Sequence, residues 1–418
     1  MHAYQEANDY PAQRRMPRAL VVLFAGASGL SVANVYYAQP LLDALAADFS
    51  ISHAAVGGVI TFTQIGCAIA LLLLVPLGDQ MDRRRLILIQ LVALFAALLG
   101  VGLARSSTAL MFGMLMVGLL GTAMTQGLIA YAATAAAPGE RGRVVGATQS
   151  GVVIGLLSAR VLAGVVADLA SWRGVYLFSA LLMLVLGLML LRALPAQAAP
   201  VRRLSYGQLM LSMFTLLRQE RVLQIRGVIA LLMFAAFSIF WSALVLPLSA
   251  PPYSLSHTAI GAFGLVGVVG ALGAARAGHW ADQGFGQKTS ALALMLLLVS
   301  WLPLSMLSHS LWWLIVGIIA LDLGGQAIHV TNQSMLFSTQ GQAHSRLVGC
   351  YMLFYSVGSG LGAIASTAVY AASGWQGVCL LGAGMSGLAL AFWALTLRYM
   401  PHSAPACVRQ AQSCRATG

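Results

Sequence analysis

The 418-residue sequence predicts an all-α membrane protein of twelve transmembrane helices, arranged as two six-helix bundles related by internal duplication. Three observations predict this. Hydrophobic residues make up 59% of the chain and charged residues only 8%, against roughly 25% charge in an ordinary soluble domain. Apolar runs bounded by charge or turn residues recur along the chain, most of them near the about 20 residues that a helical span requires. Landmarks of the first half also return in the second at an offset of about 200 positions.

In order along the chain, a cytoplasmic N-tail (1–18) is followed by a six-helix half (19–194), with spans expected at 19–43, 55–77, 86–104, 108–132, 146–168 and 174–194. A cytoplasmic central loop (195–226) leads to the second half (227–398), with spans at 227–249, 257–277, 289–307, 311–337, 347–371 and 376–398, and then to a cytoplasmic C-tail (399–418). Arg14, Arg15 and Arg18 precede the first apolar run as they would in a signal peptide. That run continues past Asn34 to about Leu42, too long for an h-region, and reads as a retained span. Within the central loop, the mixed polar and apolar stretch from Tyr206 to Arg221 suits an amphipathic helix on the membrane surface. The 44 glycines, many within spans, suit closely approaching helices; the run Gly261, Gly264, Gly267, Gly270 and Gly273 reads as a packing surface.

The formal charge of +12 could suggest nucleic acid, but its distribution marks sidedness. With the N-terminus inside, 20 of the 23 Lys and Arg residues fall on cytoplasmic segments, Arg105 and Arg173 fall outside, and Arg160 lies within a span. Cationic loops resist translocation, so both termini are expected in the cytoplasm of a bacterium, with the protein multi-pass in the inner (plasma) membrane. Cys67, Cys350, Cys379, Cys407 and Cys414 are scattered, with no metal-site spacing or disulfide framework.

The repeat is in phase. Arg143-Val-Val-Gly146 matches Arg346-Leu-Val-Gly349, Ser171 to Val175 matches Gly374 to Val378, and Gly78 to Asp82 corresponds to Gly278 to Asp282. Gly78-Asp-Gln-Met-Asp82-Arg83-Arg84-Arg85, echoed by Gly278-His-Trp-Ala-Asp282, resembles the loop signature of the major facilitator superfamily, and with the twelve-span plan the resemblance covers the whole chain. Val32-Ala-Asn34-Val-Tyr-Tyr37-Ala-Gln39-Pro40 and the Asp322, Gly324, Gly325, Gln326 segment resemble its bacterial drug and sugar efflux permeases, of the drug:proton antiporter type. The resemblance implies a fold that rocks between two states. It also implies a conformational latch between halves at Gly78, Asp82 and Arg83, with Gly278 and Asp282 as the second copy. The sequence departs from the pattern at Arg85, where a second Gly is usual, at Met114 in place of an Arg before Gly118, and after Gly155, where a Pro is missing.

Charges buried in a bilayer are costly, about 2.5–3.5 kcal/mol at least at a span centre, and usually face a cavity or a partner. Arg160 and Asp322 stand at comparable depths in spans five and ten, and are expected to interact directly or through substrate, with a structural ion pair as the plain alternative. Their repeat counterparts are Ala363 and Leu119. Asp322, Gln326, His329 and Gln333 share one helix face, with Asn332 beside it. The resemblance implies that helices one, four, seven and ten line the central cavity, so this stripe, with Asn34, Tyr37, Gln39, Gln126 and Trp241, is the expected substrate and ion pathway. His329 suits a proton carrier by its unperturbed pKa near 6.5, or is a hydrogen-bonded structural residue. Tyr36, Trp172, Trp312 and Trp375 read as an interfacial belt.

No nucleotide-binding loop, metal cluster or nucleophile with its base is present, so the chain is not read as an enzyme, and no cofactor or metal is expected. Expected partners are a small-molecule substrate, protons and membrane lipid, with no nucleic acid and a monomeric state. The reading is a secondary active, proton-coupled exporter of a small organic compound. An importer on the same scaffold and a transporter-like sensor remain as alternatives.

Overall fold

The computed structural model describes residues 16–78, 80–136, 140–194, 205–337 and 344–400, and all regular structure in them is helical. The N-tail up to residue 15, most of the first part of the central loop and the C-tail beyond 400 lie outside the described residues. Helix α1 (Arg18–Tyr36) breaks at Gln39–Leu41, where Pro40 lacks a backbone donor, and the chain resumes as α2 (Leu42–Phe49). The first span is therefore kinked, not the single 19–43 run expected. Then follow α3 (Gly58–Leu77), α4 (Arg83–Gly102), α5 (Ser107–Ala135), α6 (Arg141–Leu169) and α7 (Trp172–Ala193). Beyond the loop come α8 (Tyr206–Gln219), α9 (Arg221–Ala243), α10 (His257–Trp280), α11 (Gly286–Val299), α12 (Leu311–Phe337) and α13 (His344–Thr396).

The helix starts are legible in side-chain chemistry. Ser106, Ser171, Ser205 and Ser256 each accept a backbone N–H three residues on, and Asp82 accepts that of Arg84 at 2.9 Å. These caps satisfy donors that the first turn leaves without intrahelical partners.

Among the described residues, ten helical stretches are long and apolar enough to cross a membrane. The longest, Arg346–Tyr399, is broken at Gly374, whose φ of 62° disfavours any side chain. Its two arms are separate crossings, and α10, with a shorter apolar part at His257–Gly270, supplies another. The twelve expected crossings are thereby accommodated.

Duplication shows in packing. A Cβ on Gly155 of α6 would collide with the backbone of Gly29 on α1, and one on Gly358 of α13 with the backbone of Leu231 on α9. The first and fifth spans of each half thus touch backbone to backbone through a glycine at the matching position, as small-residue membrane interfaces do.

The halves meet on one side and part on the other. At the end where α3 begins, it meets α13: Thr61 Oγ1 donates to the Gly360 carbonyl at 2.7 Å, and the Gly57 N–H donates to Thr367 Oγ1 at 3.2 Å. Tyr36 and Tyr355 share a hydroxyl hydrogen bond. At the opposite ends, which carry Arg83, Arg141 and Arg346, a cavity of about 800 Å³ separates the halves. Helix α8 lies at its edge: Leu209 and Met213 are buried toward it, while Leu211 and Phe214 are exposed. That is the expected amphipathic helix of the central loop, and its Tyr206 hydroxyl donates to the Leu73 carbonyl at 2.9 Å.

Candidate functional site

The most informative cluster forms where α6, α9, α10 and α12 converge. Arg160 on α6 is 4% exposed, its guanidinium carbon lies 3.9 Å from the Trp241 ring centre on α9, and its Nε donates to Gln39 Oε1 at 2.9 Å. The Tyr36 ring stands 5.9 Å away. Asp322 on α12 is equally buried and is electrostatically coupled to Arg160. The two charges do not touch: no N···O approach within 4.0 Å is made. The Trp241 indole N–H also interacts with the Asp322 carboxylate but closes no hydrogen bond within 3.5 Å.

Helix α10 makes room for both side chains. A Cβ on Gly264 would meet Arg160 Cδ at 3.3 Å, and one on Gly267, a turn further along the same face, would overlap Asp322 Oδ2. The glycine run read as packing is therefore also what admits two charged side chains against one helix. Arg160 belongs to the first half and Asp322 to the second, so the cluster is an interface between halves.

The rest of the polar stripe of α12 divides. His329 Nδ1 is 3.0 Å from the Tyr351 hydroxyl, and Gln333 Nε2 is 3.2 Å from His329 Nε2, so both ring nitrogens have neutral partners. Asn332 Oδ1 accepts from Arg226 Nη1 at 3.2 Å, and the same guanidinium donates to Ser290 Oγ at 2.8 Å and Gln287 Oε1 at 2.9 Å. Gln326 is half-buried. Arg226 is fully buried with no carboxylate among these partners. By sequence alone it stands as the last cation of the central loop. Helix α9 in fact begins at Arg221, so Arg226 is already inside, and the only signal was the apolar context that starts at Val222.

Other expected pathway residues separate by the direction they face. Gln126 lines the cavity together with Gln90, Gly78 and Arg83. Asn34 instead accepts from Ser179 on α7 at 2.6 Å and donates to the Leu30 carbonyl at 2.8 Å, and Tyr37 is fully buried. Asn34 thus joins α1 to α7 within the first half and does not face the second. Tyr36, read as part of an interfacial belt, is the residue that reaches across. Trp172 is likewise no belt residue, being 6% exposed with its indole donating to Asp48 at 3.1 Å, whereas Trp312 is 75% exposed.

At the loop signature, Asp82 caps α4 and approaches Arg85 at 3.8 Å, both on its own helix. Arg83 donates to the Gly78 and Ala130 carbonyls, each at 3.0 Å, and to Thr134 at 3.2 Å. The cavity separates the halves on this side, so the expected latch there is not closed by Asp82 in this conformation. Gly278 packs under Val330; the Asp282 side chain lies outside the described residues. A contact that the sequence did not announce closes the other side. His257, at the start of α10, stands between Asp43 and Asp168 at 3.1 Å from each, and Asp168 also accepts the backbone N–H groups of His257 and Thr258.

The family model for the Major Facilitator Superfamily matches residues 24–274 and 226–413. The chain belongs to the major facilitator superfamily. It is 41% identical over 375 residues to "Uncharacterized transporter YgaY" of Escherichia coli O157:H7, covering 90% of this chain and 95% of that one. It is 29% identical over 389 residues to "Probable transporter SCO4007" of Streptomyces coelicolor, with 88% of each covered. Among solved structures, this superfamily member resembles a bacterial homologue of the human lysosomal transporter Spinster in an inward-facing conformation (TM-score 0.73, 15% identity, 91% and 96% covered). It also resembles the nucleoside transporter NupG (TM-score 0.72, 16% identity, 90% and 99% covered). At such identities these likenesses speak for the fold alone. The protein is a multi-pass membrane transporter of the superfamily type.

Proposed function

We propose that this transporter exports a small organic compound in exchange for protons, by alternating access between its halves. The observation that carries the reading is the arrangement of Asp322 and Arg160: a buried carboxylate of one half and a buried guanidinium of the other, near enough to interact and too far to pair. Protonating Asp322 removes the charge that offsets Arg160, so the free energy of this interface changes with proton occupancy. A rocking motion needs a two-state contact of that kind for its ligands to bias.

In this reading the basic side is cytoplasmic, since Lys and Arg are retained there, with both termini on it. The cavity then loads substrate from the cytoplasm past Gln126 and Gln90. Gln39, Trp241 and Gln326 border the route beyond, together with Tyr36. Asn34 and Tyr37 support α1 from behind. His329, Asn332 and Gln333 hold α12 to α9 and α13. The likeness of the Val32 to Pro40 segment to efflux permeases supports export.

The test is substrate-dependent proton flux in proteoliposomes carrying a pH-sensitive dye, screened with a compound panel under an imposed gradient. Compound entry against the proton gradient, lost in Asp322→Asn while gradient-free exchange of the compound persists, is the expected result. Flux indifferent to the gradient, or full coupling in Asp322→Asn, would sink the reading.

A further inference from the structure

We infer that the cavity between the halves is a binding site for an amphipathic organic anion, whose apolar body lies along α3 and α4 and whose anionic group meets Arg141 and Arg346. This rests on the transport reading above and names the substrate class for it.

The cavity, at about 800 Å³, is of the size that holds a drug-like molecule. Its walls are chiefly apolar, with Leu71, Leu74 and Ile87 among them, and no Asp or Glu is among its described lining residues. Arg141 and Arg346 both line it. Arg141 Nε donates to the Ala133 carbonyl at 2.7 Å and Arg346 Nη1 to Ser212 Oγ at 2.8 Å. Among the described residues neither guanidinium meets a carboxylate, and each keeps amino hydrogens without an acceptor.

Retention of positive charge on the cytoplasmic side explains why arginines stand at this end. It does not explain how they are partnered. Two arginines of the same side that do not line the cavity are paired with acids, Arg143 with Glu140 at 2.8 Å and Arg85 with Asp82 at 3.8 Å. Carboxylates are thus present nearby and are spent away from the cavity. Among the described residues, Arg141 and Arg346 bind only neutral oxygens. Guanidinium forks match carboxylate and phosphate geometry and are weakly hydrated, so an anionic headgroup supplies the partner that the described residues do not give Arg141 and Arg346. Gln90, 4% exposed, lines the same cavity with its side-chain carbonyl oxygen unpartnered. It can accept from a donor group on the ligand body.

The experiment uses three isosteric probes, naphthylacetate, naphthylethylamine and naphthylethanol. Each is measured by equilibrium dialysis against the full-length protein in lipid nanodiscs, with empty nanodiscs subtracted. Naphthylacetate should bind at least roughly tenfold more tightly than the other two, since a hydrogen bond to a charged group contributes about 1.5 kcal/mol or more. Arg141→Gln and Arg346→Gln should each weaken naphthylacetate by a similar factor and leave naphthylethanol unchanged. Naphthylacetate retained no better than the amine and the alcohol overturns the inference, whether all three bind or none does; so does preference that survives both substitutions. Binding is read without a gradient. Selective anion binding by a protein that moves no protons would therefore refute the coupling reading and leave this one standing, and coupled flux of the amine alone would do the reverse.

Discussion

Arg160 of the first half lays its guanidinium 3.9 Å over the Trp241 ring of the second. The contact ties the two bodies of the transporter together at the depth where Asp322 also lies, and everything about it depends on a planar cation. A desolvated cation–π contact is worth about 2 kcal/mol.

Arg160→Lys keeps the charge and loses the plane and the Nε bond to Gln39. Transport by Arg160→Lys should fall roughly thirtyfold, the equivalent of about 2 kcal/mol, with membrane abundance near normal. Trp241→Phe should fall less than Trp241→Leu, because an aromatic face remains. Initial rates normalised to purified protein decide it, and Trp241→Leu with unimpaired rates would refute the role of the ring.

Exchanging the two charges separates structure from function. Arg160→Asp with Asp322→Arg restores the charge balance, so abundance in the membrane should recover relative to either single change. Transport should not, since the cation would then sit on α12, away from its place over Trp241. Recovery of both, seen by immunoblot and flux, would reduce the pair to a structural contact.

Two glycines on close contacts should fail in different ways. At Gly267 an added methyl overlaps Asp322 Oδ2, the far end of a side chain that can rotate away. Gly267→Ala should therefore fold and lose proton coupling. At Gly155 the methyl meets the Gly29 backbone, which cannot rotate away. Gly155→Ala should cost about 1–3 kcal/mol of overpacking, read as a lowered midpoint in a thermal-stability assay in detergent. Equal stability of the two variants would contradict the distinction.

His257 and its two aspartates close the side opposite the cavity. His257→Ala and Asp168→Asn each remove bonds worth about 1.5 kcal/mol or more, so the fraction open on that side should rise roughly tenfold. A cysteine placed at Ile260, 3% exposed in this conformation, reports it through its labelling rate from that side. An unchanged rate would mean that Tyr36 with Tyr355 and Thr61 with Gly360 suffice as the closure.

His329→Gln should retain pH-driven transport. Both ring nitrogens are already engaged by Tyr351 and Gln333, and a glutamine can address the same neutral partners. Loss of coupling in this variant, with coupling kept in Asp322→Asn, would move the proton from Asp322 to His329.

The fold was legible in the chain because its causes are local. Apolar length sets a crossing, Ser and Asp set helix starts, and Gly374 falls between two expected spans, whereas the break at Pro40 was not expected. Duplication is visible because the glycines that let backbones touch recur in phase. The deep charges were equally legible, since Arg160 and Asp322 stand out against hydrocarbon whatever their neighbours.

Which way a polar residue faces was not legible, because that depends on the rotation of each helix against its neighbours, and one apolar sequence suits many rotations. Asn34 and Tyr36 are two residues apart on α1, yet one braces α7 and the other crosses to Tyr355. Arg226 looks like a loop cation until the start of α9 is known, and His257 is an ordinary helix start until α2 and α6 bring Asp43 and Asp168 to it. The sequence alone determined a twelve-span transporter with two uncompensated charges at matching depth. Only the tertiary structure decided that those charges lie against one face of a glycine helix without pairing, and that in the cavity beyond them Arg141 and Arg346 meet no acid among the described residues.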